Sequence, residues 1–315
     1  MSQFNTFAFA GGGNRCWWQA GVMSGLLERG WRLPDHLVGT SAGAAIAVSC
    51  LTIGPRAALE SCCGLLDSDG AIKVRHPRRL QHLFPLSHEP IYRKWVRSIV
   101  DQNHLTALRS SGVRVLVAIS RPSAKLGLSG SVVAGTLAYA VDQFIAPAIH
   151  PRLPGLLGLE QEFVELKACD TVSSVCSLLR AAAAAVPYIR PVQIAGYWAL
   201  DGGYVDNAPI PAQSPLERDG TLVLLTRHDS SRPTTFVSGG RTYWQPSRPV
   251  PVSTWDCSVR AEIRAAFDLG RDDALMVVDG GLLAAQRRGS SENCPSTADL
   301  SNSNLEPESN AALQR

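Results

Sequence analysis

The chain has 315 residues, 45% of them hydrophobic, which is enough apolar material for a substantial core in one large domain or two smaller ones. Its 30 Lys and Arg against 27 Asp and Glu leave a formal charge of +3, without the long basic runs that nucleic-acid binding needs, so nucleic acid is unsupported as a partner. Eight cysteines (Cys16, Cys50, Cys62, Cys63, Cys169, Cys176, Cys257 and Cys294) form no CxxC pair and no metal-ligand spacing, and read as small hydrophobes of a reducing compartment.

The opening MSQFNTFAFAGGG lacks a basic n-region followed by an apolar h-region, so it reads as a first strand, not a signal peptide, and a cytoplasmic location is expected. Phe4 to Ala10 is a short apolar run that ends at Gly11-Gly12-Gly13, as a buried strand entering a tight turn would. From Trp17 to about Glu28, Trp18, Val22 and Leu26 recur at helical spacing, with Gly30 as terminator. Leu37 and Val38 then lead into Gly39-Thr40-Ser41-Ala42-Gly43, and Ala44 to Leu51 reads as helix. Strand, glycine loop, helix, strand, sharp turn, helix is the alternation of an α/β unit with a largely parallel sheet, whose functional groups gather at the carboxyl ends of strands.

Residues 65–104 are rich in charge, proline and histidine and read as an insertion or irregular cap. Val113 to Ile119 and Thr221 to Thr226 read as further strands. Leu128 to Ile149 is the most membrane-like stretch, but Asp142, Gln143 and its many small residues make it a buried or interfacial helix in preference to a spanning one. The Ala181 to Ala185 run is a helix stopped before Val186-Pro187, and Ala195 to Leu200 a short strand delivering Asp201. From about Gln286 to Arg315 the chain turns to Ser, Asn, Glu and Pro and is expected to be a disordered tail. No internal repeat is present.

Chemistry concentrates at three places. Gly39-Thr40-Ser41-Ala42-Gly43 fits G-x-S-x-G at a strand-to-helix junction, where small flanking residues allow a strained turn that presents the serine oxygen. The bland alternative is a glycine-rich turn. Gly11-Gly12-Gly13-Asn14-Arg15 could aim backbone N–H groups at a developing oxyanion. A dinucleotide loop is the rival there, but Cys16 stands where the third glycine of G-x-G-x-x-G belongs, and no P-loop lysine is present. A serine hydroxyl needs a base, and Asp201-Gly202-Gly203 offers a carboxylate on a tight turn. Asp206 is a substitute that, like Asn207, is expected to organise the turn; Asp279-Gly280-Gly281 repeats the tripeptide without supporting context. His228 would complete a Ser-Asp-His order, although the serine follows only the second strand, too early for that fold. The other histidines show no HExxH or comparable cluster, so no metal site is expected.

GGGNR at 11–15, GTSAG at 39–43 and DGG at 201–203, in that order, resemble the patatin-like phospholipase family. The resemblance spans about residues 4–230 and extends to about 285. It implies a three-layer α/β/α fold with a mainly parallel central sheet, in one acyl-hydrolase domain over 1–285 followed by the 286–315 tail. It further implies an oxyanion hole at Gly11, Gly12 and Gly13, a Ser41 nucleophile, an Asp201 base, and supporting roles for Arg15, Gly39, Gly43, Gly202 and Gly203. Cys16 departs from the family's usual GGGxRG and would alter loop–helix packing.

No metal or organic cofactor is required by a Ser-Asp dyad acting through an acyl-enzyme. The substrate class implied is a phospholipid or lysophospholipid ester, with peripheral membrane contact. Neutral acylglycerol or simple ester hydrolysis, a Ser-Asp-His hydrolase, and an inactive lipid-binding scaffold stand as alternatives. Phe144, Ile145, Leu153, Leu156, Leu157 and Leu159 are candidates to line an acyl channel, with core packing as the competing role. Trp17, Trp18 and Trp31 read as core or interface aromatics.

Overall fold

The computed structural model describes residues 4–68, 88–144, 149–256, 259–281 and 283. Strand β1 (Thr6–Phe9) is buried along its whole length, and residues of alternate parity face opposite sides. Phe7 and Phe9 enter one apolar layer, and Ala8 and Ala10 the other. The glycine turn then leads into α1 (Cys16–Glu28), whose residues Cys16 to Leu26 are all buried. A helix apolar on every side must be enclosed by other elements. Here α1 lies among α2 (Ser41–Leu51), α3 (Pro55–Ser68) and the late helix α10 (Arg260–Asp279).

Strand β2 (His36–Thr40) runs parallel to β1, from Thr6↔His36 to Phe9↔Gly39. Strand β3 (Arg114–Arg121) continues the parallel sheet from His36↔Arg114 to Thr40↔Ala118. On the other side of β1 lie β7 (Thr221–Leu224) and then β9 (Arg241–Trp244), both parallel. Antiparallel strands finish the sheet. β8 (Thr235–Ser238) pairs with β9, and β4 (Glu160–Glu165) with the outer edge of β3.

One further pairing positions the site. Where β2 ends at Thr40, the inner edge of β3 would be left open beyond Ala118. Strand β6 (Tyr197–Asp201), paired with β5 (Val192–Ile194), takes that edge with Ser120↔Leu200 and Ile119↔Asp201. Asp201 therefore enters the sheet one register step past the strand that delivers Ser41.

The architecture is a three-layer α/β/α sandwich around a mainly parallel sheet, with unequal layers. The larger layer packs Leu37, Val117, Leu222 and Trp244 of the sheet against α1, α2, α10 and α8 (Val172–Ala182). The opposite face is thinner, with Val38, Leu116 and Val223 covered by Ala208, Ile210 and Phe163. On that side α6 (Gly127–Phe144), followed by the short α7 (Leu153–Leu156), rests on Leu200 and Tyr204. The short α9 (Pro215–Asp219) precedes β7.

Several stretches differ from the sequence reading: the helix read through Ala185 ends at Ala182, and the strand read over Ala195 to Leu200 is Tyr197–Asp201. Helix α2 begins at Ser41 itself, three residues before the expected start at Ala44, because the turn is made within the helix's first residue. In the charged region read as an irregular cap, α4 (His88–Ile99) and α5 (Gln102–Ser110) are regular helices. Tyr92, Trp95, Val96 and Ile99 of α4 supply a buried face at helical spacing, a pattern that the surrounding charge conceals. Residues 69–87 of the cap, 286–315 of the tail, and the end of the 128–149 stretch at 145–148 lie outside the described residues. Among the described residues no single helix is long and apolar enough to cross a membrane.

The junction of α1 and α10 is both close and polar. A Cβ on Gly25 would stand 2.6 Å from the Ala274 methyl carbon, so glycine is what lets these helices touch. Asp273 of α10 is buried and accepts from Trp18 Nε1 at 2.7 Å and from the Ser247 N–H at 3.1 Å. Asp273→Ala, which strands the buried Trp18 N–H and the half-buried Ser247 N–H, is expected to lower unfolding free energy by about 2–4 kcal/mol. Asp279→Ala, which loses only an exposed pair with Arg29, should leave the urea midpoint nearly unchanged. Equal midpoint shifts in the two variants would contradict the assignment of Asp273 as the buried tie.

Candidate active site

Ser41 stands at the strand-to-helix reversal, after Thr40 in extended backbone, and itself takes φ 53°. For a residue with a Cβ, that left-handed conformation costs roughly 1–2 kcal/mol. Its neighbours make room for the reversal. A Cβ on Gly39 would stand 2.6 Å from Ala44 Cα, and one on Gly43 2.8 Å from the Phe9 carbonyl oxygen.

Asp201 meets the serine from the end of β6. Ser41 Oγ donates to Asp201 Oδ2 at 2.7 Å, and the Gly203 N–H donates to Oδ1 at 2.7 Å. The Asp201 N–H is in turn fixed to the Ala184 carbonyl at 3.1 Å. Gly202 must be small as well, since a Cβ there would stand 2.6 Å from the Ala118 carbonyl oxygen. Asp201 is only 5% exposed. Burial raises its carboxyl from 3.8 to about 6, with the hydrogen bonds from Ser41 and Gly203 pulling the other way. Desolvation wins because two donors do not replace a full hydration shell.

The glycine loop is anchored by its carbonyls. Gly11 O accepts from Thr226 Oγ1 at 2.6 Å and from Asn207 Nδ2 at 3.0 Å, while the Gly11 N–H donates to the Asn207 carbonyl at 2.8 Å. Gly12 O accepts the Arg15 N–H at 3.1 Å. The N–H groups of Gly12 and Gly13 have no acceptor among the described residues, and both glycines line the pocket that contains Ser41 and Asp201. Gly13 takes φ 55° against the Thr254 carbonyl, where a side chain would be both strained and obstructed.

That pocket has a volume of 290 Å³. Thr136 and Tyr139 of α6 form one wall, and Val186 to Tyr188 another. Trp255 closes it, stacked on Tyr188 with ring centroids 4.1 Å apart and planes at 5°. Asn14 ties this wall to the glycine loop: its N–H donates to Thr254 O at 3.0 Å, and Nδ2 donates to Ser253 O at 3.0 Å and Asp256 O at 2.8 Å.

Other expectations fall away from the pocket or need correction. Leu153, Leu156, Leu157 and Leu159 do not line it: Leu156 is 82% exposed, and Leu159 is buried against Leu200 and Tyr204. The Phe144 side chain and Ile145 lie outside the described residues. His228 directs Nδ1 to the Pro246 carbonyl at 2.9 Å and is not part of the pocket wall. Asp206 caps the following turn through the Ala208 N–H at 2.9 Å, and Asn207 pins the glycine loop. Asp279 ends α10 in its ion pair with Arg29. Trp17 and Trp18 are buried in the core and Trp31 packs against it.

Arg15 braces the back of the loop with a long contact from Nε to the Gly12 carbonyl, 3.4 Å. Cys16 is buried with Sγ 3.6 Å from the Ala10 carbonyl, and burial raises its thiol far above the range in which a thiolate forms. Among the described residues no group of three or more His, Cys, Asp or Glu side chains is arranged to hold a metal ion. Tyr188, Trp255, Thr226 and the tie from Asn14 to residues 253–256 carry no signal in the sequence. Each reaches the pocket or its loop through a contact between distant segments, which carries no local spacing signal.

A protein-family model described as patatin-like phospholipase matches residues 7–212. No curated protein matches the sequence. Among solved structures the chain is similar to the crystal structure of VipD from Legionella pneumophila, at 13% identity and a TM-score of 0.45, over 88% of this chain and 67% of that one.

The buried carboxylate leaves a stability signature. Asp201 titrates near 3.9 in the unfolded chain and about 6 in the folded one. The folded state therefore holds the proton more tightly, and stability falls as pH rises from about 4 through about 6, by roughly 2–3 kcal/mol in all. Asp201→Asn removes the titration. Its unfolding midpoint relative to wild type should rise between pH 4.5 and pH 8; a difference independent of pH would contradict the raised value.

Proposed function

The chain belongs to the patatin-like phospholipase family and is a serine hydrolase of that family; from that premise we propose that Ser41 and Asp201 are its catalytic dyad and that it cleaves phospholipid or lysophospholipid esters. The observation that carries the dyad is the 2.7 Å bond from Ser41 Oγ to a buried carboxylate, in the pocket lined by the unpaired Gly12 and Gly13 N–H groups. Support for a lipid acyl chain comes from the family and from the apolar wall of Val186, Tyr188 and Trp255.

In this reading Asp201 Oδ2 takes the proton from Ser41 Oγ as that oxygen attacks the acyl carbonyl carbon. The carbonyl oxygen becomes an anion and accepts from the N–H groups of Gly12 and Gly13, which are held in place before the charge forms. The tetrahedral intermediate collapses, the proton passes from Asp201 to the leaving alcohol oxygen, and the acyl group stays on Ser41. Asp201 then takes a proton from water, whose oxygen attacks the acyl-enzyme. Collapse returns the proton to Ser41 Oγ and releases the fatty acid.

A carboxyl raised to about 6 suits this work at neutral pH, being ionised yet more basic than an exposed aspartate. The histidine-assisted reading has no geometric support, since His228 is bonded elsewhere.

Ser41→Ala is expected to abolish fluorophosphonate labelling and to lower ester turnover by about a thousandfold or more. Persistent labelling would remove Ser41 as nucleophile. Asp201→Asn should fall comparably while His228→Ala retains most activity, and the reverse order would restore the triad. A panel of matched phospholipid, lysophospholipid, acylglycerol and simple esters tests the substrate class, and preference for the neutral esters would overturn the phospholipid assignment. Because the base must be unprotonated, kcat/KM should climb with unit slope up to about pH 6 and then level off. A profile flat from pH 5 to 8 would contradict Asp201 as base.

A further inference from the structure

Beside the catalytic pocket, two arginines stand together without a carboxylate partner among the described residues. Arg227 Nη2 donates to Tyr139 OH at 2.8 Å, and its guanidinium carbon lies 5.2 Å from that ring's centroid. Arg227 Nε is buried and has no acceptor among the described residues. Arg15 lies against the same tyrosine and feels the repulsion of Arg227. Neither arginine forms an ion pair among the described residues, whereas Arg29, Arg121, Arg180, Arg264 and Arg271 each pair with a carboxylate. Asp229, two residues along the chain from Arg227, is already engaged by Arg232 at 3.1 Å and by Ser231.

Placing two cations side by side is unfavourable, and an unpaired buried donor costs roughly 1–3 kcal/mol. An anion beside the Arg227 guanidinium would relieve the repulsion. The place is also suitable: Tyr139 forms part of the catalytic pocket, and Arg227 lines an adjoining cavity of 120 Å³ that shares Asn207 with it. Guanidinium groups match the oxygens of a phosphate with several charge-assisted hydrogen bonds.

We propose that Arg227 forms an anion subsite for a phosphate group next to the catalytic pocket. Taken as the headgroup subsite of the substrate, this rests on the phospholipid reading above. Arg227 then selects esters that carry phosphate over neutral esters of the same acyl chain, and Tyr139 orients its guanidinium between the subsite and the pocket.

The test has two arms on the full chain. In the first, inorganic phosphate is titrated against hydrolysis of p-nitrophenyl butyrate. It should inhibit wild type, with an inhibition constant at least about fivefold higher in Arg227→Gln and partly restored in Arg227→Lys. In the second, kcat/KM for lysophosphatidylglycerol is divided by that for the monoacylglycerol of the same chain. The ratio should drop about tenfold or more in Arg227→Gln, chiefly through KM. Circular dichroism checks that each variant is folded, and should Arg227→Gln fail to fold, Arg227→Lys with a weakened phosphate response and reduced ratio carries the same test. Phosphate that inhibits both proteins alike, or does not inhibit wild type, overturns the subsite. Phosphate inhibition through Arg227 in an enzyme that cleaves no phosphate-bearing lipid would leave the subsite as one for free phosphate and reject the phospholipid reading.

Discussion

Water solvates a carboxylate more effectively than a few fixed donors can, so the contact between Ser41 Oγ and Asp201 Oδ2 holds only if the fold forces both groups into the same dry place. Three features force it. The turn after β2 holds Ser41 in a left-handed backbone, with Gly39 and Gly43 making room. The edge of β3 beyond β2 receives β6, whose last residue is Asp201. The Asp201 backbone is tied to Ala184, at the end of the segment that forms the pocket's apolar wall. Burial raises the carboxyl while the serine and the Gly203 N–H keep it within the range of ionisation at neutral pH. One arrangement thus accounts for local strain, reduced stability and basicity together.

The glycine loop follows the same logic in complementary form. Its carbonyls and the Gly11 N–H are occupied by Thr226, Asn207 and Arg15, which leaves the N–H groups of Gly12 and Gly13 for the pocket. Asn14 extends the coupling to residues 253–256 and so to Trp255. The wall that would contact an acyl chain and the loop that would bind the oxyanion are therefore one hydrogen-bonded unit. The long α10 begins shortly after that wall, and its buried Asp273 secures it to α1, the helix the glycine loop opens into.

Elements with strong local signals were legible from sequence. β1 is a continuous apolar run before the glycine turn, β2 carries Leu37-Val38 into Gly39, and GGGNR, GTSAG and DGG mark turns, and Gly12, Gly13, Ser41 and Asp201 from these turns line one pocket. What escaped notice depended on tertiary context. β4 reads Glu-Gln-Glu-Phe-Val-Glu and becomes a strand because the outer edge of β3 is open to it. α4 hides an apolar face within a charged segment. The leucines after residue 150 suggested an acyl channel by composition alone, yet the pocket wall comes from Tyr188 and Trp255, brought together from distant parts of the chain. Hydrophobicity indicates that a residue will find apolar surroundings, but not which surroundings those will be.

The central claim is that a single pocket brings nucleophile, base and oxyanion donors together at bonding distance. A crystal structure of the protein after reaction with an alkyl fluorophosphonate tests it most directly. The account predicts phosphorus bonded to Ser41 Oγ, the phosphoryl oxygen within about 3.1 Å of the Gly12 and Gly13 nitrogens, and the Asp201 carboxylate still beside the adduct. Phosphorus on another residue, or a phosphoryl oxygen turned away from the glycine loop with Asp201 displaced from the adduct, would contradict it.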